Sequence, residues 1–232
     1  MARDFDGTSH RLLAADNAAL SLPDGGFTIS LWMYCDTLAA TSRSQYFYSH
    51  GTVATTSSCN LYISEPTGAL VGYVVSDGGT SKQVGWAAGA ISAGVWYHIC
   101  LRCVGDDLRI YRNGVQSGVA QTAAWNGVNP SGSLYLGARN DLNADRFFNG
   151  KLAELAIYQS GISDAQLAQL ADGESPEAIG VSPAAYIRML GDDYAEKIVP
   201  ITMTNQGSSD SAHPPRMYAP RRRKLLLMEN AL

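Results

Sequence analysis

A chain of 232 residues with 46% hydrophobic and 16% charged residues carries enough apolar material for a sizeable core, which excludes disorder throughout. The formal net charge is −4, and bases and acids are unevenly placed: residues 1–215 hold 12 bases against 20 acids, whereas 216–232 hold five bases against one acid. An acidic body repels a phosphate backbone, so no nucleic acid partner is expected, and no run of about 18 apolar residues offers a membrane span.

In chain order, the start MARDFDGTSHRLL lacks the basic-then-apolar layout of a secretory signal. Short strands are expected from Phe5 to Tyr158, broken by turn signals at Pro23-Asp24-Gly25-Gly26, Glu65-Pro66-Thr67-Gly68, Asp77-Gly78-Gly79, Asn126-Gly127 and Asn129-Pro130-Ser131-Gly132. That punctuation, with few helical apolar periods, is an all-β pattern. The clearest stretch is Trp96 to Gly118. Val95, Tyr97, Ile99, Leu101 and Cys103 alternate with Trp96, His98, Cys100 and Arg102, Gly105-Asp106-Asp107 turns the chain, and Asn113-Gly114 ends the returning strand. One helix is expected after Ser163, which caps it together with Gln166; Leu167 and Leu170 share a face, and Gly173 stops it against the sandwich edge. The sandwich is read as residues 1–175.

Residues 176–232 read as an extended arm, interrupted by Pro183, Pro200, Pro214, Pro215 and Pro220. Tyr186 to Leu190 and Ile198 to Ile201 are too apolar for a free linker and are expected to lie against a surface. Arg216, Arg221, Arg222, Arg223 and Lys224, followed by Leu225 and Leu226, form a cationic then apolar element suited to an acidic groove on a partner; a solvated tail is the alternative.

The hairpin from Trp96, with His98 two residues on and Asn113-Gly114 at its end, resembles the central hairpin of the laminin-G-like, or concanavalin-A-like, jelly-roll superfamily. Phe5-Asp6-Gly7, Phe27 to Trp32, Leu134 to Gly137 and Phe148 to Tyr158 are similar to its other strands in the same order, and Ser163 to Gln166 to its closing helix. The resemblance covers about residues 3 to 173 and implies a jelly-roll sandwich with one short helix. His213-Pro214-Pro215 resembles an element in the tails of phage proteins that carry this domain, and is read as a rigid turn.

Catalysis is not expected, and no catalytic residue is assigned. Glycan-cleaving relatives need paired carboxylates about 5 Å apart, whereas Glu154 stands alone on its strand. Cys35, Cys59, Cys100 and Cys103 are expected to be reduced and packed, because Cys100 and Cys103 would point to opposite faces of a strand. His98 is read as a packed, hydrogen-bonded side chain. No cofactor is assigned; the resemblance leaves calcium open, with Asp6, Asp77, Asp141, Asn143, Asp145 and Glu154 as oxygen donors at loops or strand ends. A glycan would need exposed aromatics, for which Trp86, Tyr46, Tyr48, Tyr62 and Tyr73 are candidates and Trp125 the leading one, whereas Trp32 and Trp96 are assigned to the core.

The resulting expectation is a non-enzymatic virion structural protein of a tailed phage, a capsid decoration protein or a head or tail accessory. It would dock on the major capsid protein, other virion subunits or its own copies through the arm. The alternative is a lectin-like module that binds a surface glycan.

Overall fold

The computed structural model describes residues 2–38, 43–51, 57–122, 124, 126–189, 203–212 and 214. In chain order its strands are β1 (Ala2–Asp6), β2 (Arg11–Ala14), β3 (Gly26–Cys35), β4 (Ser44–His50), β5 (Ser58–Ser64), β6 (Ala69–Val75), β7 (Ser81–Trp86), β8 (Trp96–Val104), β9 (Asp107–Arg112), β10 (Val115–Gln121), β11 (Leu134–Leu136) and β12 (Asn149–Tyr158). Helix α1 (Asp164–Ala171) follows, then β13 (Ala185–Ile187), β14 (Met203–Gln206) and β15 (Ser209–Ser211).

The strands form two antiparallel sheets. The first runs β10-β9-β8-β3-β12-β1-β15, with β13 also on β12, and the second runs β14-β2-β11-β4-β5-β6-β7. Alternation decides which side chains lie between them. Phe27, Ile29, Leu31 and Met33 of β3, with Ile99, Leu101 and Cys103 of β8, meet Leu61 and Ile63 of β5 and Leu70 and Val74 of β6 in one buried cluster. Along one side the sheets nearly touch, where the Ser117 hydroxyl donates to the Gly85 carbonyl at 2.7 Å and Lys82 Nζ to the Asp106 carbonyl at 2.5 Å.

Helix α1 begins with the capping box expected of Ser163 and Gln166. It lies over the outer face of the first sheet and not at the sandwich edge. Leu167 and Leu170 are buried with Tyr111, Tyr158 and Tyr186, and Arg102 of β8 donates to Asp164 at 2.6 Å and to the Ile162 carbonyl at 2.9 Å. An exposed sheet face with three tyrosines offers more apolar area than an edge, so the helix settles there.

The segment read as an arm from 176 joins both sheets. β13 pairs with the second half of β12, β14 with β2, and β15 with β1, where buried Arg3 meets Asp210 at 3.0 Å. The unpaired backbone groups of those edges supply the attraction. A bulge makes room for β13: Glu154, with φ of 53°, interrupts β12, so β1 takes residues 149–152 of that edge and β13 takes 155–157.

Candidate glycan-binding face

The outer face of the second sheet follows from register. β5 sends Cys59, Leu61 and Ile63 into the core, so Asn60 and Tyr62 face outward; β6 buries Leu70 and Val74, turning Tyr73 out; β11 buries Leu134 and Leu136, turning Tyr135 out. On β4 a register shift between Tyr46 and Tyr48 places Tyr48 in the core and Ser49 outward. The pairings Tyr135↔Ser49, Ser49↔Asn60 and Asn60↔Tyr73 then align four side chains across four neighbouring strands. Leu13 and Thr204 extend this row on one side, and Gln83 on the other.

The row is a trough. Ser49 and Asn60 are small and buried, and the half-buried Tyr135 and Tyr73 flank them, about 14 Å apart at ordinary strand spacing. The Ser49 hydroxyl donates to Asn60 Oδ1 at 2.8 Å and accepts the Asn140 backbone N–H at 3.3 Å, which fixes the carboxamide. Among the described residues nothing accepts from the Asn60 amide nitrogen, so two N–H donors remain at the floor. One row along, Tyr46 stacks on Tyr62 with centroids 4.7 Å apart and planes 19° from parallel. Burial, with Tyr46 beside it, pushes the Tyr62 phenol up to about 12, so it stays neutral. Phenol rings with a fixed amide between them suit a sugar, which offers a C–H face to an aromatic ring and hydroxyls to an amide.

The other sequence candidates lie elsewhere. Trp125, and Arg216, Arg221, Arg222, Arg223, Lys224, Leu225 and Leu226, fall outside the described residues. Tyr48 is core, and the Arg112 guanidinium covers the Trp86 ring at 4.3 Å. Trp32 is buried, but on the outer face of the first sheet against the His98 ring, and Trp96 is only partly buried beside Tyr34; neither joins the cluster between the sheets. Their strand positions share a face with Ser30 and His98, opposite to Ile29 and Ile99, which explains the placement.

His98 is buried and its Nε2 lies 2.8 Å from the Ser30 hydroxyl; burial lowers its pKa to about 3. All four cysteines are buried free thiols, Cys103 in the core and Cys100 under α1. The oxygen donors considered for calcium are dispersed. Asp6 accepts the backbone N–H groups of Thr8, Ser9 and His10, Asp77 that of Asn129, Asp141 holds Arg139, and Glu154 accepts the Tyr186 hydroxyl. No group of three metal-ligating side chains occurs among the described residues.

Two antiparallel sheets in this order, with a helix laid on one outer face, define a lectin-type jelly-roll sandwich. The chain belongs to the concanavalin A-like lectin/glucanases superfamily, whose laminin-G-type sequence profile matches residues 6–168. No curated protein matches the chain by sequence. Among solved structures it is similar to a heptameric SAP-like pentraxin from Limulus polyphemus, with TM-score 0.59 and 15% identity over 88% of this chain and 94% of that one. It is also similar to a Bacteroides ovatus protein assigned to carbohydrate binding, with TM-score 0.67 and 19% identity over 90% of this chain and 58% of that one. The binding domain of botulinum neurotoxin serotype G gives TM-score 0.57 and 12% identity over 69% of this chain and 40% of that one. At these identities the likeness shows the fold, and the chain spans about half the length of the latter two.

Proposed function

We propose that this protein is a non-enzymatic carbohydrate-binding module that takes a glycan on the outer face of the second sheet. The observation that carries the reading is the row Tyr135, Ser49, Asn60 and Tyr73, two half-buried rings around a fixed carboxamide. From Thr204 to Gln83 the row contains no carboxylate or histidine, so it holds hydrogen-bonding groups without an acid–base pair. The carbohydrate-binding role assigned to the Bacteroides ovatus relative of the fold supports the same reading. Glycan-array binding of the purified chain tests it. Asn60→Ala and Tyr73→Ala each weaken the bound glycan about tenfold if the row is the site; binding unchanged in both variants, with unfolding midpoints intact, places the site elsewhere.

We further propose that the module is carried on a tailed-phage virion, as a capsid decoration protein or a head or tail accessory, with residues 216–232 as its docking element. Support comes from charge, five bases against one acid in that stretch beside an acid-rich body. Deleting 216–232 leaves β14 and β15 in place, so lost occupancy on purified particles would report docking and not unfolding. Unchanged occupancy would sink this second reading.

A further inference from the structure

Among the described arginines, Arg146 is the one whose guanidinium makes neither a hydrogen bond nor an ion pair. Arg3, Arg43, Arg102, Arg109, Arg139 and Arg188 each meet a carboxylate, and Arg11 and Arg112 donate to the Ser9 and Ala90 carbonyls. Arg146 instead lies 5.9 Å from the Tyr46 ring centroid, half-buried, with Nε shut off from solvent and without an acceptor. The acids nearest in sequence do not quench it: Asp141 holds Arg139, and Asp145 is exposed and makes no ion pair.

Its position ties it to the trough. Tyr46, under Arg146, stacks on Tyr62, and Tyr62 shares the outward face of β5 with Asn60, about 7 Å along the strand. A sugar seated on Asn60 therefore brings a substituent within reach of an unquenched guanidinium at the edge of an aromatic surface. A planar fork of N–H donors with no internal acceptor matches a carboxylate or sulfate, both of which accept two parallel hydrogen bonds.

We propose that the glycan bound on this face is acidic, and that Arg146 selects it by binding its carboxylate or sulfate group. The proposal rests on the carbohydrate-binding reading above. The test uses the full chain, wild type and Arg146→Gln, Arg146→Lys and Asn60→Ala variants, titrated with matched neutral, uronate-containing and sulfated oligosaccharides. The expected result is preference for one acidic series, weakened about tenfold or more in Arg146→Gln and less in Arg146→Lys, with weak neutral binding unchanged. Asn60→Ala weakens acidic and neutral ligands alike. The uronate and sulfate arms distinguish the two anions. Neutral binding that depends on Asn60 without any acidic preference overturns the role of Arg146 and leaves the carbohydrate reading standing. Binding to no member of any series overturns both. Arg146→Lys keeps the charge beside Tyr46, so a loss equal to that of Arg146→Gln, with a lowered unfolding midpoint in each, marks Arg146 as structural and also overturns the proposal.

Discussion

Moving the protein from pH 7.5 to pH 5 is expected to cost much of its stability through two buried histidines. His98 and His50 are both shielded from solvent, and burial lowers their pKa values to about 3 and about 4, from 6.5 in the unfolded chain. Because the folded values are depressed, the unfolded state binds more protons below pH 6.5. Their contribution is complete above that value and is lost as pH falls toward the folded values. At pH 5 each histidine costs about 2 kcal/mol, or about 4 kcal/mol together, against a typical total of about 5–15 kcal/mol. The carboxylates with lowered values, Asp6, Asp107 and Asp141, withdraw their support only below about pH 4, outside this window. Glu154, raised by burial, acts in the opposite sense and regains stability on acidification. With a urea m-value of about 3 kcal/mol/M, the midpoint should fall by about 1 M between the two pH values, and by about half that in His98→Gln. Equal midpoints for wild type at both pH values, or full pH dependence retained in His98→Gln, would refute the reasoning.

Two further stability predictions concern single atoms. Gly137 sits at φ of 82°, and a Cβ there would overlap the Phe5 ring; Gly137→Ala should destabilise by about 3 kcal/mol, read as a lower denaturation midpoint, and a midpoint within error of wild type would contradict the packing. Ser163→Ala removes the helix cap and should cost about 1 kcal/mol in the same assay, while Ser163→Asp should be close to neutral.

The hairpin of β8 and β9 and the cap of α1 were legible because their signals are local: strict alternation from Tyr97 to Cys103, a Gly-Asp turn, and Ser163 three residues before Gln166. The candidate face was not. Tyr73 and Tyr62 stood out as aromatics, but Ser49, Asn60 and Tyr135 are ordinary until three separate registers align them, and no short-range pattern encodes the pairing of β11 with β4. The alternation on β5, with Cys59, Leu61 and Ile63 inward, was the available clue to Asn60. Tyr48 misled because a one-residue shift on β4 reverses its face. Trp32 is buried as expected, though in an outer layer, and Trp96 is only partly buried, because a strand under α1 has apolar residues on both faces, which blurs the distinction between the core and the outer layer.

The pairing of β14 with β2 and of β15 with β1 also sets an order of events during synthesis. Asp4 meets Ser209 and Leu13 meets Thr204, so the outer edge of each sheet stays open on the ribosome until almost the whole of the described chain has been translated. Contacts of such long sequence separation close late and slowly. Until they close, β1 and β2 present bare hydrogen-bonding edges to neighbouring nascent chains, which makes this closure the step most exposed to misassembly at high expression.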